Sequence, residues 1–461
     1  MAAANKAVTL LGQLALAWLL MPSDMGLAGI AISLSSFSAF FSSGSLGNVL
    51  VQRGRVREEI GQALWLAVGM GFLATLLIIL SAVVAETIGI WGDVAGLLAV
   101  IAVGTLLSSP LAVLGAELQS RLEFKKLALC QLIQGVVFTG SAVFFASLGL
   151  GAYALVWPII PRAIAGIAYM LWNEGMPPLV RFDRFFANQL IKPTFALAGT
   201  GVLAVLQVQL PVLFIGFVLS HEEVGYFSWG WMVAAQFVYL LTTNLRKVLL
   251  PIFSKIKNRV DRGLIHALMV ARALTALLCI VCGLQAFLAE PLIDLMLPAK
   301  WGRATMVVFW LSLGLLFQGL SAAITAWLNA SGRYRALVVF AIFNVLIVSG
   351  STYLGCLHSG LSGAAQGCAI GYLVSASTSL FFVPMGLIFS ELKMSFLAIG
   401  LSALTWVFCR RSVFDEQSTG IFLLSSGVFV LTSGAVWFIL ERPIINKIIA
   451  SRSTREELSG V

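Results

Sequence analysis

The chain has 461 residues, of which 59% are hydrophobic and 11% charged, and its formal net charge is +9. A soluble domain carries roughly 25% charged residues, and the longest polar connections, about residues 172–192 and 245–266, leave no room for one. The composition therefore predicts an all-α chain lying in or beside a bilayer. The positive charge does not point to nucleic acid, because no motif reads bases and a basic cytoplasmic rim is what a membrane protein presents.

The first run, from Lys6 to Leu20, has the outline of a signal peptide. No small-residue cleavage site follows it and a second apolar run comes at once, so it reads as a retained first helix. A spanning helix needs about 20 mostly apolar residues. On that test the sequence predicts about fourteen, at 4–21, 27–46, 62–84, 95–115, 128–148, 151–171, 193–218, 224–244, 267–288, 305–328, 336–356, 360–387, 392–409 and 421–440. The turn His358-Ser359-Gly360 separates the eleventh from the twelfth. Pro110, Pro158, Pro161 and Pro211 are expected to kink their helices.

An even number of spans puts both termini on one side. The N-terminus, the even-numbered connections and the C-terminal tail hold 23 of the 29 Lys and Arg residues. The opposite side holds Lys300, Arg303, Arg410 and Arg411, while Arg162 and Arg272 fall within helices. By the positive-inside rule both termini are cytoplasmic. All 20 acids fall in connections, at helix ends or in the tail. The six cysteines sit mostly in apolar runs. Cys279 and Cys282 form a C-x-x-C without partner ligands, so helix packing is expected rather than a metal, cofactor or redox role.

Three patterns recur in order. Pro22-Ser23-Asp24-Met25-Gly26 is echoed by His221-Glu222-Glu223-Val224-Gly225, Trp91-Gly92 by Trp301-Gly302, and Phe124-Lys125-Lys126 by Arg333-Tyr334-Arg335. The offsets are 199 for the glycines, 210 for the Trp-Gly pairs and 209 from Lys126 to Arg335. A nearly constant offset predicts two six-helix halves related by an axis along the membrane normal. Their limits are 1–175 and 176–388, with 389–461 as an appendix of two helices and a tail.

Arg162 is the leading functional candidate. A charge at the centre of a membrane helix costs roughly 2.5–3.5 kcal/mol, which is tolerated where it faces a wet interior, and a buried cation suits anionic cargo. It could equally bond the backbone carbonyls that Pro158 and Pro161 free. Arg272 lies near the cytoplasmic end of its helix and could instead snorkel to the interface. Arg53 and Arg246, at cytoplasmic helix ends, are candidates for the inward mouth or plain topology determinants. Gln207 and Gln209 are two apart and cannot share a helix face, so at most one lines a cavity; helix-to-helix hydrogen bonds explain such amides as well.

Several loops resemble those of the oligosaccharide flippase family, in its exopolysaccharide-exporter branch. Leu20-Met21-Pro22-Ser23-Asp24-Met25-Gly26 is similar to the family's L-s-P-x-D-f-G turn, and Val51-Gln52-Arg53 to its v-Q-R. The stretch from Leu118 to Ala128 is similar to l-q-R-x-L-x-F-k-x-l-a, and Leu249 to Ile256 to l-f-P-x-x-S-x-l. Leu328-Asn329-Ala330-Ser331-Gly332-Arg333-Tyr334 resembles the turn before the eleventh helix. The resemblance spans about residues 9–385. It implies the multidrug/oligosaccharidyl-lipid/polysaccharide exporter fold, two six-helix lobes around a central cavity, in the bacterial inner membrane. It also implies an undecaprenyl-pyrophosphate-linked oligosaccharide as cargo, amid membrane lipid, with a polysaccharide polymerase and other glycan-assembly proteins as partners. Pro211 stands where the family has an Asp, so any gating or ion-coupling role of that carboxylate is not carried over. The alternatives are a drug or cation antiporter of the same fold, which needs intramembrane carboxylates, a membrane enzyme using polyprenyl-linked sugars, or a non-transporting partner in a glycan-assembly complex.

Overall fold

The computed structural model describes residues 2–41, 44–54, 56–89, 94–175, 180, 182–255 and 260–383. The protein is all-α and polytopic. Its helices are α1 (Ala2–Leu19), α2 (Pro22–Ser35), α3 (Gly44–Arg53), α4 (Val56–Ile88), α5 (Val94–Ser108), α6 (Leu111–Ser120), α7 (Phe124–Ser147), α8 (Tyr153–Val156), α9 (Ile159–Glu174), α10 (Arg184–Gly216), α11 (His221–Lys255), α12 (Val260–Met296), α13 (Ala304–Leu315), α14 (Gln318–Ala330) and α15 (Tyr334–Ser379). Among the described residues seven helices are long and apolar enough to cross a membrane, or eight if the bent pair α13 and α14 counts as one span. The predicted helices at 392–409 and 421–440 lie outside the described residues.

The predicted spans are helical but not uniform. The second is α2, a 3-10 turn over Ser36–Phe41, and α3. The fourth breaks at Pro110 and the sixth at Pro158, where proline removes a backbone donor and crowds the preceding turn. Pro161 sits in the first turn of α9, where the missing N–H breaks no helical bond. Pro193 and Pro211 lie inside an α10 that remains one helix. The tenth span bends by 43° between α13 and α14, with no proline there. Ser359 and Gly360 leave helical geometry, and Gly360 has φ 60°, so α15 is two helices joined at the predicted turn.

Backbone contacts group the chain into two compact units. The first is Met1–Trp229 with Ile293–Ala304 and Thr352–Ala364; the second is Gly230–Leu292, Thr305–Ser351 and the chain from Ala365. In the first, Leu46, Leu50, Ile60, Ala67, Val113 and Leu190 form a buried cluster that joins α3, α4, α6 and α10. In the second, Leu264, Leu268, Ala271, Ala323, Ile324 and Trp327 pack α12 against α14.

The sequence repeat has a backbone counterpart. Before α7, the N–H groups of Arg121, Leu122 and Glu123 donate to the carbonyls of Glu117, Gln119 and Leu118. Before α15, those of Ser331, Gly332 and Arg333 donate to Trp327, Asn329 and Leu328. Each bond recurs 210 residues later, and the residues that open the two helices share their geometry: Glu123 at φ −80°, ψ 54° and Arg333 at φ −81°, ψ 53°. The register corrects the pairing read from side chains, since Arg335 matches Lys125 rather than Lys126. The left-handed position is Gly332 in one turn and Leu122, at φ 58°, in the other.

Gly26 and Gly225 face each other reciprocally. A Cβ added to Gly26 would fall 1.8 Å from the carbonyl oxygen of His221, four residues before Gly225; one added to Gly225 would fall 1.8 Å from that of Pro22, four residues before Gly26. The segment after α12 closes over the end of α1. Trp301, fully buried, donates its indole N–H to the Ala17 carbonyl at 2.7 Å. Lys300 Nζ donates to the carbonyls of Leu20 and Trp18 at 2.8 and 3.1 Å. The Ala17 and Trp18 carbonyls belong to the last turn of α1, whose carbonyls lack intrahelical donors, and Leu20 follows it directly; a cation there also meets the negative end of the helix dipole. Arg303 pairs with Glu223 at 3.0 Å, and Tyr226 and Trp229 pack on the Trp301 ring.

A candidate anion site on α7 and α9

Arg162 lies in the first turn of α9, near the middle of the 22-residue apolar span Tyr153–Glu174. α9 buries the stripe Ala163, Gly166 and Met170. Arg162 stands to one side of it and is exposed. Its Nε lies 3.5 Å from Gln134 Oε1, at the outer limit of a hydrogen bond, and its guanidinium is 5.9 Å from the centre of the Phe138 ring. Among the described residues it has no carboxylate partner.

Gln134 and Phe138 belong to α7, whose faces are distinct. Val136, Gly140 and Phe144 form an exposed stripe. Gln131 and Phe138 lie on the opposite side at helical spacing, so the partners of Arg162 turn it away from that stripe. Gln134 is held against α9: its Nε2 donates to Cys130 Sγ at 3.2 Å, and a Cβ on Gly166 would fall 2.8 Å from that nitrogen. Absence of a side chain at Gly166 is what lets the amide lie there.

Among the described residues of the first unit, Arg53, Arg121, Lys126 and Arg303 pair with carboxylates. Arg121 bonds Glu117 and Glu174, and Lys126 reaches Glu174 at 2.9 Å and Glu123 at 2.6 Å. This network ties the turn before α7 to the end of α9. The other sequence candidates are placed as follows. Arg53 pairs with Glu59 at 3.3 Å and donates to Gln189 at 3.3 Å. Arg272 is buried on α12, 4% exposed, rather than reaching out to the interface. Gln209 accepts from Ser33 of α2 at 3.1 Å, a helix-to-helix bond. Gln207, half-buried, points elsewhere on α10. Arg246 is on α11, with its side chain outside the described residues. Within the first unit the neighbours of Arg162 are Gln134 and Phe138 rather than Arg53, Gln207 or Gln209; their signal in the sequence was two carboxamides, Gln131 and Gln134, three apart in an apolar run.

Acids whose side chains are described lie within two turns of a helix end, as Asp24, Glu59, Glu86, Glu174, Glu223 and Glu290 illustrate. Among the described residues no group of His, Cys, Asp and Glu is placed to hold a metal ion. Cys130, Cys279, Cys282, Cys356 and Cys368 are buried and unbridged.

Broken apolar helices, closely packed glycines and a lone cation in a span define a multi-pass membrane protein with a transporter fold. The structure is similar to "Lipid II flippase MurJ, inward closed conformation" (TM-score 0.73, 19% identity, 96% of this chain and 98% of that one). It is also similar to an inward-facing multidrug resistance MATE family transporter of the MOP superfamily (0.59, 15%, 82% and 92%) and to a mutant of the Vibrio cholerae MATE transporter VcmN (0.53, 14%, 86% and 95%). These solved proteins are flippases and transporters, not enzymes. No curated protein matches the sequence. The model of the family described as "Polysaccharide biosynthesis protein" matches residues 15–306, so the chain belongs to that family.

Proposed function

We infer that this protein moves polyprenyl-pyrophosphate-linked oligosaccharide repeat units from the cytoplasmic to the outer leaflet of the bacterial inner membrane, by alternating access. The observation that carries this reading is Arg162, an exposed guanidinium in mid-span with only a weak amide contact. In a low-dielectric setting such a cation attracts a pyrophosphate strongly. The family and the flippase fold agree with a lipid-linked sugar cargo. The reciprocal Gly26 and Gly225 and the matching turns support two six-helix lobes at 1–175 and 176–388, followed by 389–461. Both termini are cytoplasmic on the charge distribution. Arg53, Arg246, Arg272, Gln207 and Gln209 stay secondary contacts in this proposal, and the polymerase and other assembly proteins its partners.

The test is flipping in proteoliposomes with a fluorescent undecaprenyl-pyrophosphoryl disaccharide. Arg162→Gln is expected to slow flipping by about tenfold or more, the loss of one charge-assisted bond, without changing thermal stability. Transport at the wild-type rate removes Arg162 from the site. Drug antiport needs an intramembrane carboxylate, and the described acids stay near helix ends; uptake of an organic cation without glycan flipping would favour that reading.

A further inference from the structure

The turns before α7 and α15 share more than their backbone. The residue that opens each helix is an exposed aromatic, Phe124 at 55% and Tyr334 at 61%, and an exposed cation follows it, Lys125 or Arg335. Neither cation pairs with a carboxylate among the described residues. Arg121 and Lys126, on either side of the first pair, are by contrast held by Glu117, Glu123 and Glu174. A cation in the first turn of a helix opposes the helix dipole, so neither Lys125 nor Arg335 stabilises the helix it sits on. The first turn adds Leu122, 71% exposed, in the left-handed geometry that Gly332 takes in the second. A leucine is strained there, and an exposed side chain recovers nothing from the fold.

Depth identifies what meets these residues. Phe124 and Tyr334 are the first residues of the membrane spans Phe124–Ser147 and Tyr334–Ser379. In the first unit the level is marked a second time: Trp172, 91% exposed, lies two residues before Glu174, which ends its span and which Arg121 and Lys126 grip. Aromatic side chains at the ends of spans sit among lipid headgroups, so lipid is the neighbour rather than a soluble protein. The charge distribution puts both turns on the cytoplasmic side, where the anionic lipid of the leaflet attracts basic side chains near its surface.

We propose that the two turns are matched feet on the membrane surface, each binding the headgroup of an anionic phospholipid. Phe124 or Tyr334 lies among the headgroups, Lys125 or Arg335 meets the phosphate, and Leu122 inserts as an extra apolar tip in the first. The proposal goes beyond the transport reading and uses neither Arg162 nor the cargo.

The probes are phosphatidylglycerol and phosphatidylcholine, each brominated in its acyl chains, in nanodiscs that hold the full-length protein and a mixture of the two lipids. A bimane label on Leu122→Cys or Gly332→Cys reports the lipid beside each turn, with unsubstituted protein treated alike as the blank; Leu122 itself shows that this position accepts a side chain. At each label brominated phosphatidylglycerol is expected to quench as though enriched about fivefold over brominated phosphatidylcholine, and less so at high salt. Lys125→Gln should abolish the preference at the first label and leave the second; Arg335→Gln should do the reverse; Phe124→Ser should weaken quenching by both lipids at the first. Equal quenching by the two lipids without these substitutions, or a preference at the first label that survives Lys125→Gln, overturns the proposal. Labels quenched by aqueous iodide and by neither lipid place the turns in water and overturn it as well. The transport reading stands in each of these cases, because flipping by Arg162→Gln tests it separately.

Discussion

The pairing of Gly26 with Gly225 makes a quantitative prediction about how this face of the molecule opens. In Gly26→Ala the new Cβ would stand 1.8 Å from the His221 carbonyl oxygen. Ordinary contact needs about 3.5 Å, so the first turns of α2 and α11 must separate by about 1.7 Å. Both obstacles are helix backbone, which cannot rotate aside as a side chain would. Overpacking of this kind costs about 2 kcal/mol, a shift of about thirtyfold toward the open arrangement. A cysteine in place of Ser228, whose Oγ lies 2.8 Å from where a Cβ on Gly29 would fall in the same seam, reports it. A membrane-impermeant maleimide should label that cysteine about thirtyfold faster in the Gly26→Ala background. Gly225→Ala should act alike. The double variant should add less than about threefold, because one widening clears both contacts and neighbours of this kind are not additive. Labelling unchanged within about twofold in Gly26→Ala, or fully multiplicative effects in the double variant, would refute the reasoning.

Three further outcomes are expected. Trp301→Phe leaves the buried Ala17 carbonyl without its donor and should cost about 1–3 kcal/mol in denaturant unfolding in detergent; a loss below about 0.5 kcal/mol means that the carbonyl finds another donor. Leu122→Gly should stabilise by about 0.5–1 kcal/mol, since it relieves a left-handed, 71% exposed leucine at a strain of about 1–2 kcal/mol, partly offset by the freer unfolded chain; an unchanged melting midpoint contradicts this. Glu174→Gln leaves Arg121 and Lys126 without their shared carboxylate and should lower the melting midpoint, less at high salt; a loss insensitive to salt would mean that packing, not charge, holds the end of α9.

What the sequence revealed depended on whether the cause was local. Hydropathy over twenty residues is local, and it located every described span. Proline chemistry is local as well: Pro110 and Pro158 split their helices, whereas α13 and α14 part at a site without proline. The repeat was legible because turns are local, yet its register was read from Lys and Arg, which slide by a residue on a solvated rim at little cost; the backbone bonds at Leu122 and Gly332 fix it at 210. The site divides along the same line. A lone Arg162 in an apolar run announces itself by its desolvation cost. Gln134 does not, because tertiary packing alone reveals it: beside Gly166 it is pressed onto α9 and its oxygen lies toward the guanidinium, while Gln131, three residues earlier, is exposed. Which of two similar amides serves the cation is decided by the glycine opposite, a partner 32 positions away in the chain, and no windowed reading of either helix contains it.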